Sequence, residues 1–99
     1  MATIKKQLAS GTHTLLDVGA INVPIKAITI AKRYASAGNL TATLSIQEDG
    51  GAQFFLLRSY EIPPKSTFVI DNEGVLSYDK AKNSLIVNLS TDAQVMIFT

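Results

Sequence analysis

Ninety-nine residues, 46% of them hydrophobic and 17% charged, describe one domain with a single core and exclude a disordered chain, since the apolar content offsets the cost of ordering the backbone. The chain has no cysteine, which removes a disulfide framework, a thiolate nucleophile and zinc-finger spacing; stability has to come from packing, supplemented by oligomerisation. A net charge of +1 is unlike that of a dedicated nucleic-acid binder.

Met-Ala-Thr-Ile-Lys-Lys opens the chain with basic residues but no apolar run of signal-peptide length, and no stretch approaches membrane-spanning length. The expectation is a protein made and folded in a cytoplasm. Thr3 to Leu8 reads as a strand or an extended arm, which Ala9-Ser10-Gly11-Thr12 breaks. A second apolar segment, with Leu15, Leu16, Val18, Ile21 and Val23 around Gly19, reads as a bent strand ending at Pro24, since proline cannot donate to a ladder. Residues 1–24 are thus an arm and first strands of the same domain, whose β-sandwich core is residues 25–99.

Ile25 to Tyr34 is a strand with Ile28 and Ile30 on one face. Ala35-Ser36-Ala37-Gly38-Asn39 then turns the chain into Leu40 to Gln47, where Leu40, Ala42, Leu44 and Ile46 alternate with Thr41, Thr43, Ser45 and Gln47. These two strands are expected to form a hairpin. Glu48-Asp49-Gly50-Gly51 makes the next tight turn, because Asp-Gly and Gly-Gly tolerate the positive φ that hairpins demand.

Phe54 to Ile62 starts apolar on both faces, with Phe54 and Leu56 on one side and Phe55 and Leu57 on the other. Such a strand is either central in a sandwich or covered by a neighbouring subunit. Pro63-Pro64-Lys65 ends it, Ser66 to Asp71 resumes, and Asp71-Asn72-Glu73-Gly74 turns again. Val75 to Tyr78 reads as a short strand, and Asp79-Lys80-Ala81-Lys82-Asn83 as a polar turn with room for one helical turn. Leu85, Val87 and Leu89 mark the next strand, Thr91-Asp92 a turn, and Val95 and Ile97 the last. About eight strands at this spacing predict an all-β fold, a single small antiparallel β-sandwich or jelly-roll-like domain.

Charge is balanced overall but unevenly spread: residues 1–47 hold five Lys or Arg against one Asp, whereas residues 48–99 hold four against seven Asp or Glu. That split favours head-to-tail association or docking of the basic half on an acidic surface, unless strand pairing intermixes the charges.

Few side chains qualify for chemistry. His13, the sole histidine, sits among Gly11, Thr12 and Thr14 in an expected turn with only Asp17 nearby, which reads as a surface histidine. Ser10, Ser36, Ser59 and Ser66 lack a nucleophile-elbow pattern. Asp71-Asn72-Glu73-Gly74 with Asp79, and Glu48-Asp49, offer oxygens to calcium, but their spacing matches no calcium loop and a plain turn needs the same residues. Lys32-Arg33-Tyr34 is a thin basis for nucleic-acid binding and reads as a charged strand end. Tyr34, Tyr60, Tyr78 and Phe54 or Phe55 are the material for a sugar-stacking platform, or else pack core and rim, and the chain has no tryptophan. No catalytic, cofactor-binding or metal residue is assigned.

The order of features from Ile25 to Phe98 resembles small β-sandwich virion proteins of tailed bacteriophages. The resemblance rests on Val23-Pro24-Ile25-Lys26-Ala27-Ile28-Thr29-Ile30, Phe54-Phe55-Leu56-Leu57, Ile62-Pro63-Pro64-Lys65-Ser66-Thr67, Val75-Leu76-Ser77-Tyr78, Ser84-Leu85-Ile86-Val87 and Val95-Met96-Ile97-Phe98. The commonest form of that pattern has Pro-Ala-Gly where this chain has Pro63-Pro64-Lys65. It implies a non-enzymatic capsid decoration or cement protein without cofactor, a homo-oligomer in the virion whose partners are the major capsid protein or tail and neck proteins. It implies no direct contact with nucleic acid or membrane. Lys5 and Lys6 would dock the N-terminal arm on an adjacent subunit. The alternatives are a head–tail connector, neck or tail structural protein, and a carbohydrate-binding host-recognition module; an enzyme would have to use His13 as its base.

Overall fold

The structure, a computed structural model, describes residues 3–33 and 38–99. The expected Tyr34, and Ser36 with most of the turn that follows it, lie outside the described residues. Eight strands follow one another: β1 Thr3–Leu8, β2 Gly11–Leu16, β3 Ala27–Lys32, β4 Leu40–Glu48, β5 Gln53–Ile62, β6 Thr67–Ile70, β7 Asn83–Leu89 and β8 Ala93–Phe98. All pair antiparallel, in two sheets ordered β1-β8-β3-β6 and β2-β7-β4-β5. This is a small β-sandwich.

Its topology follows from one ribbon rolled up. Starting at the tight turn Glu48–Gly51, β4 pairs with β5, β3 with β6, β2 with β7 and β1 with β8, so the chain doubles back on itself four strands deep. Successive pairs of the ribbon fall in alternate sheets, and β8–β3 and β7–β4 ladders close each sheet. That is the jelly-roll arrangement. In the Glu48–Gly51 turn, Gly51 N–H donates to Glu48 O at 2.9 Å and Gly50 takes φ +69°, a conformation that a side chain resists.

The core lies where period-2 alternation turns both sheets inward. Ile28 and Ile30 of β3, Leu40, Ala42 and Leu44 of β4, Leu85 and Val87 of β7, and Val95 and Ile97 of β8 are buried. Each fully buried Leu or Ile contributes roughly 1.5–3 kcal/mol relative to exposure. Ile25 and Leu76, from the β2–β3 and β6–β7 connections, close one end of this core.

Four expectations need correction. The strands Ala27–Lys32 and Leu40–Glu48 form no hairpin: each is interior to a different sheet, β3 between β8 and β6, β4 between β7 and β5. Their apolar faces meet across the core, because the two strands lie in opposite sheets. The second strand starts at Gly11 and stops at Leu16, because Ala20 N–H bonds back to Asp17 O and Gly19 takes φ +74°, curling residues 17–20 into a turn. Val75 to Tyr78 is no strand. Asn72 Oδ1 accepts the Gly74 and Val75 amides and Leu76 N–H bonds to Asn72 O, so the segment coils and drives Leu76 into the core. Of the two alternatives for Phe54 to Ile62, the central one falls, since β5 is the edge of its sheet.

Candidate interaction surface

Chemistry-bearing residues are best placed by the two open flanks of the sandwich, β1 beside β2 and β6 beside β5. On the first flank His13 stands in β2, not in a turn. It is in register with buried Val87, on the core-facing row, and is half-buried. Its Nε2 lies 2.6 Å from the Ala9 carbonyl oxygen, which can only accept, so Nε2 carries the proton and clasps the β1–β2 turn. Beside it, Thr3–Leu8 is a strand rather than a free arm. Lys5 pairs with Met96 on the outer face, while Lys6 pairs with buried Val95 on the core-facing row. An inward-row lysine on an edge strand keeps that edge from stacking on another.

The serines do not converge on His13. Ser59 is on β5, the opposite edge of the sheet from β2, three strand spacings or roughly 14 Å away. Ser66 belongs to the β5–β6 turn, where its N–H bonds to Pro63 O. Among the described residues no hydrogen bond joins a serine hydroxyl to His13.

In the connection between β6 and β7 two side-chain oxygens bond local amides. Asn72 Oδ1 receives two amides, and Asp79 Oδ1 receives Ala81 N–H at 3.0 Å. Among the described residues no group of three or more His, Cys, Asp or Glu is placed to hold a metal ion. The charges nevertheless stay sorted. The β2–β3, β4–β5 and β6–β7 connections share one end of the sandwich. There Asp17, Glu48, Asp49, Asp71, Glu73 and Asp79 outnumber Lys26, Lys80 and Lys82. Lys32 Nζ donates to Gly38 O at 3.0 Å, at the opposite end.

The aromatic side chains do not make one platform. Tyr78 lines a groove of about 640 Å³ with Ile21, Asn22 and Pro24; Lys80 Nζ sits 4.6 Å from its ring centre, and burial pushes the Tyr78 hydroxyl up to about 12. Tyr60 stands on β5, its ring centre 4.5 Å from that of Phe68 on β6, and this pair bridges the two sheets across the second flank.

That second flank is where sequence and structure diverge most. Five of the seven exposed large hydrophobics of the described residues lie on or beside its two strands: Phe54 and Tyr60 on the core-facing row of β5, Phe55 on the outer face of that sheet, Val69 on the outer face of the other, and Val75 just beyond β6. Phe54 remains 51% exposed and Tyr60 44%, values that no interior strand would show. Between them Leu56, Leu57, Phe68, Ile70 and Val75 line an apolar groove of about 280 Å³. The double apolar face of Phe54 to Leu57 has a local cause. Against β4, β5 holds an extra residue between Tyr60 and Leu57 and another between Leu57 and Phe55, two bulges in one strand. Ser59 sits at the first with φ +50°, and Thr43 Oγ1 caps its N–H at 2.9 Å. Bulges break the row of free backbone groups that would template another strand. The flank therefore offers side chains, not a sheet edge. Arg58 covers part of it, its guanidinium 4.6 Å over the Phe55 ring.

The outer face of the β2-β7-β4-β5 sheet is nearly uncharged. Thr12, Asn88 and Thr43 form one cross-strand row, with Asn88 Nδ2 donating to Thr12 Oγ1 at 2.7 Å. Nothing in the sequence pattern distinguished the two flanks; the signal was present in the inward-row Lys6 and His13 on one side and Tyr60 and Phe68 on the other, but only the strand order gives it meaning. No family model matches this chain, and neither a curated protein nor a solved structure matches it.

Proposed function

We propose that this chain is a non-enzymatic structural protein of a bacteriophage virion that decorates the capsid and stabilises it through subunit contacts. The observation that carries the reading is the asymmetry of the flanks: one is guarded by Lys6 and His13, the other presents Phe54, Phe55, Tyr60, Val69 and Val75 to water. Phe54, Tyr60 and Val75 border the apolar groove between the sheets, and exposed aromatic and aliphatic side chains beside such a groove are the material of a binding surface. Burying such a surface against neighbours in a symmetric particle supplies stability without chemistry. Lys5, on the outer face of the β1-β8-β3-β6 sheet beside Thr29, Ala31 and Met96, lines a groove of about 450 Å³ that suits an acidic lattice partner. A place in the neck or tail uses the same surfaces.

The test is co-sedimentation with capsids and tails that lack the protein. Saturable binding that raises the thermal stability of capsids is the expected result; failure to bind any particle would overturn the reading. The Thr12-Asn88-Thr43 row, with Phe55 on the neighbouring row, favours a second reading as a carbohydrate-binding module. Glycan-array binding abolished by Thr12→Ala with Asn88→Ala would establish it in place of the first.

A further inference from the structure

We propose that Asp49–Gly50 is a self-modification site, at which the Asp49 side chain closes on the following backbone nitrogen and the link becomes isoaspartyl. The inference stands on the β4–β5 turn alone and goes beyond the assembly role. Ring closure asks three things of a chain. The aspartate carboxyl must be held by no other group, the next amide must be engaged in no hydrogen bond, and the next residue must be small enough to let the two meet.

Asp49 and Gly50 are the central pair of the turn that Gly51 N–H closes on Glu48 O at 2.9 Å, and both are exposed. Asp49 N–H donates to Lys82 O and Glu48 N–H to Ala52 O, each at 3.0 Å, so the turn is held on either side of the pair. The pair itself is left open. Among the described residues the Gly50 N–H has no acceptor and nothing donates to the Asp49 carboxylate. A Cβ placed on Gly50 would meet nothing within 4 Å, so one side of the nitrogen is unobstructed. The other aspartates each lack a condition. Asp79 already accepts the Ala81 amide, Asp17 precedes Val18, whose branched Cβ crowds the nitrogen, Asp71 precedes Asn72, and Asp92 precedes buried Ala93. No asparagine in the chain is followed by glycine.

The reaction balances with water as its sole partner. Gly50 N attacks Asp49 Cγ in the carboxylic acid form; the N–Cγ bond forms, the Cγ–OH bond breaks, and the hydroxyl leaves with the amide proton as water. The product is a five-membered succinimide. Water then adds to one of its two carbonyl carbons and the bond from that carbon to nitrogen breaks. Opening at the former side-chain carbon restores aspartate. Opening at the main-chain carbon routes the backbone through Cβ and Cγ, one atom longer, with the old main-chain carbonyl left as a carboxylate. Nothing is oxidised or reduced, and mass and charge end unchanged.

The experiment keeps the full chain for several weeks at neutral pH and physiological temperature, then locates isoaspartate in its tryptic peptides by electron-transfer mass spectrometry. Isoaspartate at residue 49 is expected to accumulate with time and to exceed that at Asp17, Asp71, Asp79 and Asp92 at least several-fold. Gly50→Asn puts a side chain beside the nitrogen while tolerating the left-handed φ of +69°, and is expected to slow the accumulation several-fold with circular dichroism unchanged. Asp49→Glu would have to close a larger ring and is expected to abolish it. Modification at residue 49 no greater than at the other aspartates, or a rate that ignores Gly50→Asn, would overturn the proposal. So would isoaspartate that forms in a peptide of residues 45–57 but not in the folded chain, because the turn would then shield the pair.

Discussion

Among the described residues two, Ser59 and Lys65, sit in the left-handed region without being glycine, and each marks a place where the chain had to bend. Lys65 takes φ +63° in the turn closed by Ser66 N–H on Pro63 O, the third position of a turn in which proline precedes a residue of positive φ. The resembling pattern puts glycine there. Lys65→Gly removes a left-handed cost of about 1–2 kcal/mol but loosens the unfolded chain, so urea denaturation is expected to show a gain of about 1 kcal/mol or less. The sequence marked the turn through Pro63-Pro64 but not its handedness, since lysine carries no preference for that conformation.

Burial raises the Tyr78 hydroxyl from the ordinary tyrosine value to about 12. Between the ordinary tyrosine value near 10 and that value the unfolded chain loses the proton first, so the folded form binds more protons and stability falls as pH rises. Thermal melts from pH 9 to 12 are expected to show a loss that sets in above about pH 10 and shrinks in Tyr78→Phe. Equal alkaline losses in both proteins would contradict the burial of that hydroxyl.

At the level of the element, alternation was legible where a strand is straight and failed where it is not. β3, β4, β7 and β8 follow the read pattern because each is an interior strand with one face on the core. β5 defeats it because two bulges shift the facing of Phe54 to Tyr60, and a period of two carries no sign of an inserted residue. Val75-Leu76-Ser77-Tyr78 has strand-forming side chains, yet Asn72 and Asp79 at its ends capture amides and wind it into turns. The expectation that follows is unequal: Leu76→Ala, fully buried, costs about 2–5 kcal/mol. Val75→Ala, on the flank, stays within about 0.5 kcal/mol. Chemical denaturation of the two variants distinguishes a core plug from an alternating strand, in which the two costs would be alike.

For the whole molecule, the all-β class and the sandwich could be read, and strand order could not. Local turn chemistry reported the one tight hairpin, at Glu48–Gly51, and nothing in Ala27–Lys32 or Leu40–Glu48 says that they belong to opposite sheets. Pairing in a rolled ribbon is set by the fit of two core faces across the sandwich, which a single strand does not encode. β1 and β8, at opposite ends of the chain, close the ribbon last. Because nearly all ladders join distant segments, refolding after stopped-flow dilution is expected in the millisecond to second range. The same order decides the surface: it gathers acidic turns at one end, sets Lys6 and His13 along one flank and leaves aromatic side chains along the other.

That last feature is the centre of the account, and hydroxyl-radical footprinting with mass spectrometry tests it most directly. Labelling of Phe54, Phe55 and Tyr60 is expected to fall steeply when the protein binds capsids, while Tyr78, at the acidic end of the sandwich, stays equally labelled. Labelling of the three aromatics that is the same in the free protein and on every particle would contradict the claim that this flank is an interface.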